Sequence, residues 1–336
     1  MKKILLLFSF VSFFVIADAQ QQDANTLHET AKSLMREGDY DHALSVLNQA
    51  LQLQPNDLSI LEDQAFVYYL QRDFANSIKI GEPLVARFDA DVQCFQVLGL
   101  AYRATAQYKE CDKMYKDGIQ KFPASGILHN DYGEMLSEEK LNADAIKQWE
   151  AGIESDPNCS SNYYNAAKYY DAKGNMIWVL LYGETFINIE SLSKRTDEIK
   201  ELLLNGYKKL YSTTTLQTTI QNGTPFEKAV ASIYNNNRNI TNTALSPETL
   251  TELSTRFMLA WDEKYAAQFP FHLFDFHKRL LEQGMFDAYN QWIFGALISS
   301  TNFDAWVKAN GPSMAAFQHF QGNVMYKNPN GQYYPH

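Results

Sequence analysis

The chain has 336 residues, of which 46% are hydrophobic and 14% aromatic, a composition that folds and excludes an intrinsically disordered chain. With 29 basic against 39 acidic residues the net charge is −10, which argues against nucleic acid or an anionic membrane surface as partner. Three cysteines form no pairing that their positions favour, and no stretch beyond the N-terminus approaches the roughly 20 apolar residues of a membrane span.

Residues 1–19 read as a signal peptide. Lys2 and Lys3 precede an apolar run from Ile4 to Ile16, and Ala17-Asp18-Ala19 supplies the small-x-small cleavage site. Cleavage before Gln20 removes Lys2, Lys3 and Asp18, leaving 27 basic and 38 acidic residues and a net charge of −11. The expected address is therefore export, to a bacterial periplasm or the cell exterior.

From Ala24 the sequence repeats every 34 residues, in units 24–57, 58–91, 92–125, 126–159 and 160–193. Offset 8 reads Ala31, Ala65, Gly99, Gly133, Ala167, and offset 20 reads Ala43, Ser77, Cys111, Ala145, Val179. Residues this small at two fixed places are what two antiparallel helices need in order to cross closely. Large residues fill the space around the crossing, in the third unit Phe95, Leu98, Tyr102 and Tyr115. Pro55, Pro123 and Pro157 at offset 32 end the second helix, since proline lacks an N–H and disfavours a helical residue before it. Asp89 and Ser191 stand in the other two units, and Phe186 replaces the small residue at offset 27 of the fifth, which predicts an unusual neighbour there.

This pattern resembles the tetratricopeptide repeat (TPR) family. The resemblance implies an all-α, right-handed α-solenoid of helix-turn-helix repeats with a concave face, because one helix pair alone leaves its apolar side bare. In peptide-binding members that face is lined by the first helix of each unit at offsets 2, 5, 6, 9, 12 and 13. Carried to this chain, those offsets give His28, Lys32, Met35 and Arg36; Glu62, Asp63, Phe66 and Tyr69; Gln93, Gln96, Leu100 and Arg103; Asn130, Asp131, Glu134 and Glu138; and Tyr164, Asn165, Lys168 and Asp171. The basic and amide clamp that chaperone-binding members use for an acidic tail is absent, because His28 and Asp63 occupy two of its places. The groove combines aromatic with acidic groups, which fits a protein or peptide partner.

Lys194 to Tyr211 is apolar at Ile199, Leu202, Leu203, Tyr207 and Leu210, the spacing of a helix that caps the array, and residues 20–211 are expected to fold alone. Residues 212–223 read as a polar linker. A C-terminal helical module follows over 224–325. Thr224-Pro225-Phe226-Glu227 is a capping box, Ser246-Pro247-Glu248 opens a longer helix, and Gly284-Met285-Phe286 turns a hairpin whose small residue, Ala288, sits one place short of offset 20. Residues 326–336 read as a mobile tail.

Chemistry is sparse. His272 and His277 lie five apart, not the four that place two ligands on one helical face, so neither a metal nor any other cofactor is expected. Cys111 at offset 20 reads as a buried, inert thiol. The function expected is a non-enzymatic protein-interaction scaffold. Its rivals are an enzyme using His277 and Asp275 of the C-terminal module, and a cell-wall glycan-binding module using exposed tyrosines.

Overall fold

A computed structural model describes residues 23–212, 214–242 and 245–334; the expected signal peptide lies outside them. The described residues form helices, turns and coil. The chain falls into two units, dividing between Lys140 and Leu141.

The first unit holds α1 (residues 23–37), α2 (Tyr40–Leu53), α3 (Leu58–Leu70), α4 (Phe74–Val85), α5 (Val92–Ala104), α6 (Tyr108–Lys121) and α7 (Gly126–Glu138). They are helix-turn-helix pairs, and the same local chemistry recurs at each end. Asp57, Asp91 and Ser125, each the last residue of its 34-residue unit, cap α3, α5 and α7 through their side chains. Asp39 and Asp73 do the same for α2 and α4. Between the helices of each pair one residue is left-handed: Gly38 (φ 80°), Arg72 (62°), Ala106 (54°) and Lys140 (66°), 34 residues apart. The N–H after it reaches back to close the first helix, as in Asp39 to Leu34 (2.9 Å), Asp73 to Tyr68 (2.8 Å) and Gln107 to Tyr102 (2.9 Å).

The small offsets pack as their spacing predicts. Ala31, Ala43, Ala65, Ser77 and Cys111 are fully buried. A Cβ added at Gly99 would lie 2.1 Å from the Tyr115 hydroxyl, and one at Gly118 would lie 2.7 Å from the Phe95 ring. Glycine at these two places lets the large residues of the pattern lie flat on the facing backbone.

The second unit holds α8 (Asn142–Ser155), α9 (Ser160–Lys173), α10 (Met176–Ile189), α11 (Lys194–Ser212), α12 (Thr215–Asn222), α13 (Pro225–Asn236), α14 (Pro247–Lys264), α15 (His272–Glu282), α16 (Phe286–Asn290), a π turn (Gln291–Gly295), α17 (Ala296–Ile298), α18 (Ser300–Ala309) and α19 (Gly311–Asn323). Helix α10 is buried on every side from Met176 to Ile187. That follows from its sequence, MIWVLLYGETFINI, which is apolar all round instead of striped. It packs on α9, α11, α13 and α15. Phe186 is fully buried and meets the ring of Tyr164 and the guanidinium of Arg195. The expected capping box forms at Thr224, and a second one forms at Ser246, where α14 opens.

Three expectations change. Helix α11 does not close the packing: Leu203 seats on Gly183 of α10 as a cap would, but Tyr207 packs edge-on against Phe294 and Tyr234 of the C-terminal helices. The linker at 212–223 contains α12, anchored by buried Leu216. Residues 326–334, expected to be mobile, are seated on the second unit, with Tyr326 buried and Tyr334 stacked on Phe226. Composition marked that segment as a tail, but two tyrosine rings have enough apolar area to hold it down.

Candidate partner-binding face

First helices of successive repeats touch along one side of the first unit, α3 with α5 and α5 with α7. The offsets expected to line a groove meet there, and many of them bond to one another across the repeat boundary. His28 Nε2 lies 2.7 Å from Asp63 Oδ2. Gln96 Nε2 donates to Asp131 (3.0 Å). The Arg103 guanidinium donates to Glu138 (2.6 Å) and Glu134 (3.1 Å). Each of these rungs joins one unit to the next through the side chains of their first helices. Asn130 adds bonds from its Nδ2 to Asp131 and Glu134.

The rungs leave their mark on ionisation. Burial pushes the Asp131 carboxyl above its usual range, partly offset by Gln96 and Asn130. Burial works against the Arg103 charge, but the bond to Glu138 and the charge of Glu134 more than restore it.

Three of the expected lining residues are not available to a partner, and His28, 9% exposed, is the first. Glu62 is 2% exposed and Asn130 6% exposed. The residue a rung would place opposite Glu62 is Val97, which has no polar atom. Glu62 turns inward instead and accepts from the Cys94 thiol (2.9 Å). Its carboxyl also lies beside Asp91, and the donor atoms of Glu62, Asp91 and Cys94 all fall within 4.8 Å of one another. Among the described residues this is the group that could hold a metal ion. Its members are already engaged, since Asp91 caps α5 and Cys94 bonds Glu62. Burial raises the Glu62 carboxyl to about 7 and the Cys94 thiol to about 12. Cys111 is likewise fully buried, with its thiol pushed up to about 12 by burial.

Beside these polar groups the face also presents apolar surface outward. Phe66 and Tyr69, on one side of α3, stack with centroids 6.1 Å apart, and Tyr69 also meets Phe74 at 5.7 Å. Both rings are half-buried, as is Leu100 on α5. Lys32 pairs with Glu29 on its own helix, Arg36 is exposed, and Met35 packs partly against the core of the first repeats.

In the second unit the expected residues meet α11, which supplies what a further first helix would. Lys168 donates to Glu198 (2.7 Å) and to the Tyr164 hydroxyl (3.0 Å), and Tyr164 donates to Glu198. Arg195 lies over the Tyr164 ring, and Lys209 donates to Asp171 (2.6 Å). Sequence reasoning missed Glu198 and Arg195 because α11 lacks the small offsets of a repeat.

The histidines of the C-terminal helices do not converge. His277 is buried, with Nε2 3.0 Å from Glu184 Oε2, and the Tyr207 hydroxyl donates to Glu184 Oε1 (3.0 Å). His272 instead packs on Tyr326, and burial lowers its pKa, while burial raises that of Asp275. Asp262 pairs with Lys278, and Asp287 takes a bond from Thr251. The one acid in the apolar run of α10, Glu184, was the sequence signal for this buried cluster.

Among the described residues no helix is long and apolar enough to cross a membrane. Residues 24–57 match the tetratricopeptide repeat family. Several solved structures resemble the chain. A thermophilic TPR protein of Thermus thermophilus is 18% identical, over 56% of this chain and 98% of its own, with a TM-score of 0.44. PilF of Pseudomonas aeruginosa is 14% identical, over 62% and 96%, with a TM-score of 0.48. YrrB, described as a TPR protein with an unusual peptide-binding site, is 20% identical, over 58% and 97%, with a TM-score of 0.38. No curated protein matches the chain.

Proposed function

We propose that this chain, a tetratricopeptide-repeat protein, is a non-enzymatic scaffold that holds an extended segment of a partner protein along its first-helix face. The observation that carries this reading is the division of labour on that face. His28, Asp63, Arg103, Asp131 and Glu138 are spent on neighbouring repeats, whereas Phe66, Tyr69 and Leu100 keep part of their apolar surface outward. Aromatic surface held rigidly beside satisfied polar groups favours a segment that buries apolar side chains there. Any charge on the partner must compete with a rung already formed. A photo-crosslinker placed at Gln93, exposed on the same face, tests this in the full-length protein in its native compartment. A defined partner should be trapped, and the double substitution Phe66→Ala, Tyr69→Ala should reduce the yield at least tenfold. Undiminished crosslinking would move the binding site elsewhere.

The scaffold acts, in this reading, in the bacterial envelope or outside the cell. Its support is the charged, apolar and small-residue sequence of residues 1–19. The mature protein should begin at Gln20 when isolated from the envelope or medium and sequenced from its N-terminus; a chain that keeps Met1 overturns the assignment.

A further inference from the structure

Residues 325–334 lie as an extended chain with one turn at 330–331, seated on the second unit in the manner of a bound peptide. The side chain of Asn158, in the turn between α8 and α9, grips the backbone of Asn328 at both of its polar groups. Its Nδ2 donates to the Asn328 carbonyl (3.0 Å) and its Oδ1 accepts from the Asn328 N–H (2.9 Å). Asn328 answers with its own side chain, donating to the Pro157 carbonyl (3.0 Å) and to the Tyr163 hydroxyl (3.1 Å). Further along, Gln332 accepts from the His272 N–H (2.6 Å), and the Tyr334 hydroxyl donates to the Pro270 carbonyl (2.7 Å). The Tyr334 ring stacks on Phe226 at 4.3 Å and 9°, with Phe269 edge-on at 5.8 Å.

These are the elements of peptide recognition. A side-chain amide that pairs with both backbone groups of one residue holds an extended chain whatever its sequence, and a pocket for a single aromatic side chain supplies selectivity. A cavity of about 30 Å³ remains beneath the segment, lined in part by Pro157, Tyr163, Tyr182, Thr185 and His272. That is room for about one water molecule. The segment spans this cavity and is held on either side of it by the Tyr326 and Tyr334 rings.

We propose that this cleft is a second peptide-binding site, separate from the first-helix face, whose resident ligand is the chain's own C-terminal segment. Its ligand class is an extended peptide with asparagine at the clamp and tyrosine six residues on. The resident segment competes in cis with any such peptide offered in trans.

The test uses the full-length chain and a fluorescent peptide of residues 325–336. The double variant Asn328→Ala, Tyr334→Ala weakens the resident segment and leaves the cleft intact. It should bind the peptide at least tenfold more tightly than the wild type does, by fluorescence anisotropy. Binding should be lost when the peptide carries the same two substitutions, or when Asn158→Ala is added to the variant. A variant that melts like the wild type and fails to bind the peptide overturns the proposal. Hydrogen exchange on the wild-type chain gives a check that no substitution can confound. Amides of 325–334 should exchange at least 100-fold faster than those of α10. Equal exchange would make the segment a fixed part of the core and overturn the proposal independently.

Discussion

Glu62 shares its position with a second carboxyl and a thiol, almost out of reach of water, and that sets how the first unit responds to pH. In the unfolded chain the group ionises near 4.5, whereas in the fold it holds its proton until about 7. Below 4.5 both states are protonated and the burial is at its least costly. Between those values folding takes up a proton, so stability falls as the pH rises, and above 7 the fold bears the full cost of a buried carboxylate. The loss across the window is on the order of 2–3 kcal/mol. Glu62→Gln keeps an acceptor for Cys94 and removes the charge. It should flatten the stability profile between pH 4.5 and 7 and raise the melting temperature at pH 8 by roughly 5 °C. Thermal melts at a series of pH values check this, and an unchanged slope would assign the window to other groups. The inward turn of Glu62 was hidden in the sequence, because its offset reads as a lining position. The clue was Val97, which offers no rung.

At the scale of elements, the turn between paired helices repeats with a fidelity that composition conceals. Gly38 and Gly174 announce their left-handed turns, and Gly284 does so in the C-terminal hairpin. Arg72, Ala106 and Lys140 adopt the same backbone without glycine's freedom, at a cost of about 1 kcal/mol each. Ala106→Gly should therefore stabilise the chain by up to about 1 kcal/mol, measured by urea denaturation with an unchanged m-value. Destabilisation would mean that the Ala106 methyl packs better than its exposed position implies. The helix-turn-helix pairs were legible because two helices cannot cross closely without small residues at fixed places, and such residues show in any sequence. Helix α12 and residues 326–334 were not legible. Both are polar stretches whose order comes from a few anchors, Leu216 in one and Tyr326 and Tyr334 in the other, and from partners remote in sequence. The apolar offsets of the first-helix face were readable for the same reason as the helix pairs. How its polar residues pair with one another was not readable, because it needs coordinates.

At the scale of the molecule, α11 decides what can be separated from what. Its buried side faces the C-terminal helices through Tyr207, Phe294 and Tyr234. A chain ending at residue 211 would strip the Phe294 and Tyr234 rings from Tyr207, which is almost fully buried in the intact protein. Burial of such a side chain stabilises by about 1.5–3 kcal/mol. The fragment 20–211 should consequently lose its cooperative melt or self-associate, contrary to the independence expected of a capped array. Circular dichroism and analytical ultracentrifugation distinguish these outcomes from a stable monomer. Net charge acts at the same scale: an excess of acidic groups opposes the approach of polyanions, whatever each rung does locally.

The rungs of the first-helix face also bear on how such an array can change over time. Repeat proteins gain and lose whole units easily when every unit offers its neighbours the same surface. Here His28 requires Asp63, and Gln96 requires Asp131. Excision of residues 58–91 would preserve the 34-residue register and the small offsets, yet it would set His28 opposite Val97. The units are alike in how they pack and unlike in whom they accept, so their order is written in polar pairs and a duplicated or shuffled unit would arrive without its match.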